Sequence, residues 1–422
     1  MTLMQLEPVF EEWTEFALTK KLLPRQVDLD RLSASSHLKI VGLTGLRRSG
    51  KSSLLMLLAQ HLRSKGRKVA YVNMEDPRLR FEAKVWDSLA SWFGKDEGYL
   101  LLDEITSAAS WDGWLMRSHE LFKDFMHLVV TSSRSGFSLP PRPLRGRIHP
   151  VELFPLSLDE FLDFKGVTDR KTSVGKAGVH SAMLDYLHYG GFPEVALAQS
   201  EMERQSILIR YFQDIVALDV AHSSKFEVAE VELIARYMLQ APYFSASACL
   251  DYLGSVGFET NKSKLLSLER MMQESYLMHF SPFFSYGAKG RGQRSRKCYP
   301  GDLGFLGALA GDPGWGRLWE SAAYLSCRRA KSILEEVCYW SDAHGREVDI
   351  VVRDGQRAMY MAQVCYDLRQ EKVKRREIDS LIRGAKALNP ERALIITNEE
   401  PWSKTVDGIE VEAIPLVEWL LR

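Results

Sequence analysis

The octapeptide Gly45-Leu46-Arg47-Arg48-Ser49-Gly50-Lys51-Ser52 satisfies GxxxxGK[ST] at every fixed position. Before it, Leu38-Lys39-Ile40-Val41-Gly42-Leu43 reads as a buried strand. After it, the run from Ser53 to Leu62 reads as a helix ending near Gly66. Strand, glycine loop and helix, in that order, form a phosphate cradle. The glycines let backbone N–H groups approach a phosphate, and the helix N-terminus adds a favourable dipole. Gly45, Arg47, Arg48, Ser49, Gly50 and Ser53 then line the cradle. Lys51 would neutralise the β- and γ-phosphates of ATP, and Ser52 would hold Mg²⁺. The alternative is a chance glycine turn with a lysine, which the flanking strand and helix disfavour.

Such a loop needs a second, acidic strand to orient the metal and the attacking water. Tyr99-Leu100-Leu101-Leu102-Asp103-Glu104 supplies four apolar residues and then two acids. Asp103 would bind Mg²⁺ through water, and Glu104 would act as general base. Leu128-Val129-Val130-Thr131-Ser132-Ser133 reads as a third strand ending in hydroxyls. Ser132 is the candidate sensor of the γ-phosphate, although hydroxyls at strand ends are also ordinary turn chemistry. Val69–Asp76 reads as a further strand. Residues 1–150 therefore alternate strand and helix. The fold class expected is α/β, with a parallel sheet, helices on both faces and nucleotide at the carboxyl ends of the strands. In Leu144-Arg145-Gly146-Arg147, an arginine such as Arg147 could reach a γ-phosphate of its own or a neighbouring subunit. A solvated arginine is an equally good account.

Together these motifs resemble the AAA-type, STAND-like ATPases often called archaeal-type ATPases. The resemblance is also carried by Val72-Asn73-Met74-Glu75-Asp76-Pro77-Arg78 and by Leu102-Asp103-Glu104-Ile105 with Trp111. Phe154-Pro155-Leu156-Ser157-Leu158-Asp159-Glu160-Phe161 and Gly190-Gly191-Phe192-Pro193-Glu194 extend it over nearly the whole chain. It implies ATP binding and hydrolysis, with Lys51, Ser52, Asp103 and Glu104 in the roles given above. It also implies a helical lid (151–225), a winged helix (226–286) and a restriction-endonuclease-like α/β domain (298–422).

The residues of those segments can be read directly as well. Ser157 with Glu160 forms a capping-box pattern, and Gly190-Gly191-Phe192-Pro193 reads as a turn between helices. Residues 226–286 carry three helical patterns, Val228–Leu239, Ser245–Leu253 and Asn261–Met272, followed by a short apolar run. The sequence then becomes basic. Lys289, Arg291, Arg294, Arg296 and Lys297 fall within nine residues without an acid, a candidate nucleic-acid contact. A solvated linker has the same composition.

In the C-terminal part, the resemblance places Glu320 and Asp349 at two of the nuclease acids. The third motif, (Glu/Asp)-x-Lys, reads Gln363-Val364-Cys365. Gln363 brings no charge and Cys365 cannot replace a lysine. The domain is therefore expected to be catalytically inactive, with Glu320 and Asp349 paired to Arg317, Arg346 or Arg353.

Composition sets the remaining bounds. Over 422 residues, 55 Lys and Arg balance 55 Asp and Glu, so any nucleic-acid contact must be a local patch. The longest apolar runs are far short of the about 20 residues a membrane helix needs, so no membrane association is expected. The five cysteines have no CxxC spacing. Reduced thiols in a cytoplasmic protein, without a disulfide framework or zinc site, are expected. The functional expectation is Mg²⁺-dependent ATP hydrolysis that rearranges the C-terminal modules, on DNA or with a protein partner or a second copy. A slow nucleotide-gated switch and an ATP-coupled nuclease are the alternatives.

Overall fold

The computed structural model describes residues 6–80, 84–133, 137, 140–222, 226–287 and 294–422. The packing divides the chain into two compact units, 1–154 and 155–422.

The first unit is built on five parallel strands: β1 (Ile40–Thr44), β2 (Lys68–Asn73), β3 (Gly98–Asp103), β4 (Met126–Thr131) and β5 (Ile148–Glu152). Their order is β2-β3-β4-β1-β5, so β4 lies between the glycine-loop strand and the acidic strand. Parallel strands covered on both faces read as unbroken apolar runs, and every residue of β1, β3 and β4 is buried. Alternation sorts the side chains. Val41, Leu43, Tyr71, Leu101 and Val129 pack with Leu54, Leu55, Leu58 and Leu62 of the Lys51–Ser64 helix. Val72, Leu100, Leu102, Leu128 and Val130 pack with Trp86, Leu89, Trp114 and Leu115 on the opposite face.

The second unit begins with helices, including Leu158–Phe164, Ser173–Tyr189 and Glu201–Asp214. The expected capping box is present: Glu160 N–H donates to Ser157 Oγ, and Ser157 N–H donates back to Glu160. Helices Val228–Gln240, Ala246–Ser255 and Lys262–Glu274 follow. They accompany an antiparallel sheet in the order β6 (Tyr243–Phe244), β8 (Arg296–Pro300), β7 (Met278–Ser281). The chain then forms helix Gly314–Ala330 and the strands β9 (Glu335–Ser341), β10 (Glu347–Asp354) and β11 (Arg357–Cys365). Helix Glu371–Leu388 precedes β12 (Arg392–Thr397), β13 (Trp402–Val406) and β14 (Ile409–Pro415). These six strands form a mixed sheet in the order β13-β14-β12-β11-β10-β9.

The helices after 155 and this sheet share one core. Leu158, Phe161, Met183 and Tyr186 lie in the same apolar cluster as Trp319, Ile350, Leu394, Ile396 and Trp419. The Gly190-Gly191 turn is locked to Asp302, whose carboxylate accepts from the N–H groups of Gly191 (2.8 Å) and Gly304 (2.9 Å). Gly190 has φ +76°, and a Cβ there would lie 1.8 Å from the Asp302 carboxylate. Gly190→Ala is accordingly expected to cost about 2–4 kcal/mol, the left-handed penalty plus overpacking. Urea unfolding measures it, and a loss well under 1 kcal/mol would contradict the packing.

The basic stretch departs from expectation. Lys289 and Arg291 lie outside the described residues. Arg294 is exposed, with its guanidinium 5.1 Å from the centre of the Phe283 ring. Arg296 and Lys297, however, belong to β8 and are not a solvated phosphate-tracking pair. Arg296 pairs with buried Glu269, and Lys297 is only 2% exposed. Strand alternation turns these neighbours to opposite faces, and each meets carboxylates of the protein itself.

Candidate nucleotide site and C-terminal cleft

The glycine loop leaves the carboxyl end of β1 in a conformation its sequence demands. Gly45 has φ +137°, and a Cβ there would lie 2.2 Å from the Leu153 carbonyl. Arg48 (φ +69°) and Gly50 (φ +99°) are also left-handed. Gly50 is the N-cap of the Lys51–Ser64 helix. Lys51, 4% exposed, donates from Nζ to the carbonyls of Gly45 and Leu46, each at 3.0 Å. Ser49 is buried, and its Oγ has no hydrogen-bond partner among the described residues. Arg25, which the sequence reading missed, donates to the Ser49 and Phe154 carbonyls at 2.8 and 3.0 Å and so holds the loop from outside.

The acidic pair ends β3, one strand beyond β4. Asp103 is buried; its Oδ1 accepts from Thr131 Oγ1 (2.5 Å), its Oδ2 from Tyr71 OH (2.9 Å), and it also accepts from Ser52. Burial pushes its pKa up, and the adjacent Glu104 charge adds to this. Glu104 has φ +47°. Its N–H donates to Thr131 Oγ1 (2.8 Å), and its carboxylate accepts from the Ser133 N–H (3.1 Å) and hydroxyl. Ser52, Asp103, Thr131, Glu104 and Ser133 thus form one connected series. The metal-facing expectation for Ser52 and Asp103 fits this geometry, since a hydroxyl and a carboxylate already converge where a hard dication needs oxygen donors.

Ser132 follows the carboxyl end of β4, whereas Arg147 is placed elsewhere. Ser132 is buried, but its hydroxyl bonds Thr106 (3.1 Å) and its N–H donates to Leu43 (3.1 Å). Thr131 and Ser133 are the residues that touch the acids, because alternate residues of an extended segment share a face. Arg147 lies at the wrong end of the sheet for its own site. β5 pairs in parallel with β1, with Ile148 beside Ile40, so a strand about 17 Å long separates Arg147 from the glycine loop. There it bonds Glu120 at 2.7 Å. Arg147→Ala is expected to leave turnover per chain unchanged and to alter stability by no more than about 1 kcal/mol. A phosphate-release assay checks this, and a large drop would instead place Arg147 at a neighbouring copy's phosphate.

The polar end of β2 is structural. Asp76 accepts from Trp13 Nε1 (2.9 Å) and pairs with Arg78, which holds its carboxyl at about 2.

In the second unit, a cleft of about 1100 Å³ is lined by Glu320, Glu347, Asp349, Gln363 and Glu377 together with Arg346, Lys372, Arg375 and Arg376. Lys297 Nζ lies 2.8 Å from Glu320, 2.8 Å from Glu347 and 2.9 Å from Asp349. Burial alone would lower this ammonium's pKa, but Asp349 and Glu320 outweigh it and hold it well above the usual lysine range. Burial pushes Asp349 up to about 7, against the pull of Lys297. The arginine partners expected for these acids bond other groups: Arg353 pairs with Glu336, Arg346 with Asp379, and Arg317 donates to the Cys298 carbonyl. Gln363 donates to Glu377 (2.7 Å), and its buried carbonyl has no hydrogen-bond partner among the described residues. Cys365 Sγ donates to the Asp367 carbonyl.

Comparison with known proteins locates the nucleotide unit. Residues 37–162 match the model of an AAA domain, and residues 181–314 match a domain of unknown function. An uncharacterized protein of Methanocaldococcus jannaschii is 26% identical over 96% of both chains. An uncharacterized protein of Haemophilus influenzae is 24% identical over 96% of this chain and all of its own. Among solved structures, the Walker-type ATPase of Pyrococcus abyssi is 14% identical with a TM-score of 0.44, covering 68% of this chain and 99% of its own. DnaA of Aquifex aeolicus is 14% identical with a TM-score of 0.32, covering 59% and 91%. The family match and the loop geometry together make residues 37–162 an AAA-type P-loop domain. No helix among the described residues is long and apolar enough to cross a membrane.

Proposed function

We propose that this protein hydrolyses ATP in an Mg²⁺-dependent reaction and uses the cycle to rearrange its second unit. The observation that carries the reading is the connected series from Ser52 through Asp103 and Thr131 to Glu104. It joins the candidate metal-facing hydroxyl at the start of the Lys51–Ser64 helix to the candidate base through the ends of β3 and β4.

The chain's own residues divide the work. Backbone N–H groups of Gly45–Ser52 would cradle the phosphates, and Lys51 would leave its two loop carbonyls to meet the β- and γ-oxygens. Ser52 and Asp103 would hold Mg²⁺, which supplies charge neutralisation when bound. Glu104, fixed by Ser133, would take the proton of the attacking water. Steady-state phosphate release with Mg·ATP tests the reading. Turnover above background that disappears in Lys51→Ala supports it, and no turnover in the wild type sinks it.

Residues 226–286 are read as a winged helix from the order of their helices and strands. With Arg296 and Lys297 paired to carboxylates of the chain, Lys289, Arg291 and Arg294 remain as candidate nucleic-acid contacts. Comparing turnover without DNA and with single-stranded or duplex DNA separates a DNA-stimulated motor from a slow switch acting through protein contacts.

For the cleft, we infer a nuclease-like domain neutralised from within. Lys297 draws together the carboxylates that would otherwise attract a dication. Incubation of duplex DNA with Mg²⁺ or Mn²⁺ is expected to give no cleavage, and cleavage abolished by Asp349→Ala would overturn this.

A further inference from the structure

The nucleotide site occupies the carboxyl end of the first unit's sheet. The amino end gathers a different set of groups. His37 lies three residues before β1, Glu97 immediately before β3, and His127 is the second residue of β4. Because β3, β4 and β1 are hydrogen-bonded neighbours, the three side chains converge from three adjacent strand starts. Their ligand-capable atoms all lie within 4.8 Å of one another. Glu97 Oε1 is 3.3 Å from a ring nitrogen of His127. The His37 and His127 rings stack with centroids 3.9 Å apart and planes 18° from parallel.

We propose that His37, Glu97 and His127 form a binding site for a borderline first-row transition-metal dication such as Zn²⁺, with two imidazoles and one carboxylate as ligands. With metal–nitrogen bonds of about 2.0–2.1 Å, a tetrahedral site has edges of about 3.3 Å. The Glu97–His127 separation already equals such an edge. Nearly parallel stacked rings do not aim two lone pairs at one ion, so binding requires His37 to turn out of its stack on His127; His37 and Glu97, both exposed, make up the remaining contraction. His127 is the rigid member. It is 4% exposed, and its Nδ1 has no hydrogen-bond partner among the described residues.

Tyr99 completes the surroundings. Its OH is 2.8 Å from His37 Nε2, and Tyr99 is the strand partner of His127. It orients the His37 imidazole, as outer-shell partners of metal-bound histidines do. Arg67 is close enough to act on His127 electrostatically, and its charge moderates the affinity one carboxylate can provide. Nitrogen donors select Zn²⁺, Co²⁺, Ni²⁺ or Cu²⁺ over Mg²⁺. The site would therefore load without competing for the dication that accompanies nucleotide. Such a metal would pin the starts of three strands together at the end of the sheet opposite the phosphates.

The test uses the full-length, tag-free protein, stripped with chelator and held in excess Mg²⁺ to fill oxygen-donor sites. Titration with Co²⁺ is expected to give visible d–d absorption saturating at about one equivalent per chain and displaced by Zn²⁺. His37→Ala and Glu97→Gln, both at exposed positions, are each expected to weaken binding by at least about tenfold. Zn²⁺ should raise the melting temperature of the wild type and not that of His37→Ala. Absence of a saturable band, or an unchanged Co²⁺ titration in His37→Ala, overturns the proposal. Either result is independent of ATP turnover, which a chelator-stripped protein in Mg²⁺ should retain.

Discussion

Glu104→Gln is expected to bind ATP as the wild type does and to lose hydrolysis by about 10²–10⁴-fold, the usual contribution of a positioned general base. The substitution keeps size and shape, so the left-handed backbone at φ +47° and the contacts with Thr131 and Ser133 can persist. What it removes is the carboxylate that accepts the water's proton. Lys51→Ala should fail one step earlier, since the phosphates lose the only ammonium at the centre of the loop among the described residues. A fluorescent-nucleotide titration beside a phosphate-release assay separates the two. Wild-type turnover by Glu104→Gln would show that the base has been misassigned.

The second large effect is expected at Lys297. Its ammonium contacts three carboxylates in a site where it is itself almost wholly buried. Lys297→Met keeps most of the side-chain volume and removes the charge. Breaking a buried ion cluster by deleting one sign typically costs about 3–5 kcal/mol, here read as a lower urea midpoint at pH 7. The pH response follows from linkage. With the ammonium gone, burial leaves Glu320 and Asp349 holding protons more readily in the folded chain than in the unfolded one. The native state then binds more protons between the unfolded carboxylate range and neutrality, so stability should rise as pH falls from 7 toward 5. Added Mg²⁺ or Mn²⁺ should stabilise the variant more than the wild type. A variant as stable as the wild type at pH 7 would mean the carboxylates do not depend on Lys297.

The glycine loop and the acidic end of β3 were legible because each is a local pattern whose chemistry depends on residues adjacent in the chain. The errors came from geometry that sequence spacing hides. Three hydroxyls in a row do not reveal that Thr131 and Ser133 are the ones bonded to the acids. Arg147 looked close to the phosphates because strand polarity, which puts it at the far end of β5, is a property of the folded sheet. Lys297 was counted with a solvated basic run because nothing in Ser295-Arg296-Lys297 marks the start of a strand. The Gln363-Val364-Cys365 stretch likewise gives no sign that Lys297 of β8 sits among Glu320, Glu347 and Asp349. Tyr71 and Arg25 carry no motif, and only the fold brings them to Asp103 and the loop.

The shared core of the second unit bears on the order in which the protein is made. Residues 1–154 can close around their own sheet once synthesised. The Leu158–Phe164 and Ser173–Tyr189 helices cannot, because Phe161, Met183 and Tyr186 belong to a core that also needs Trp319, Leu394, Leu416 and Trp419. More than two hundred residues must leave the ribosome between those helices and the Leu416–Leu420 helix that completes the same core. During that interval their apolar faces are open to chaperones and to wrong partners. A stop codon that removed only that last helix would leave a flaw in a core whose first helices were translated long before it.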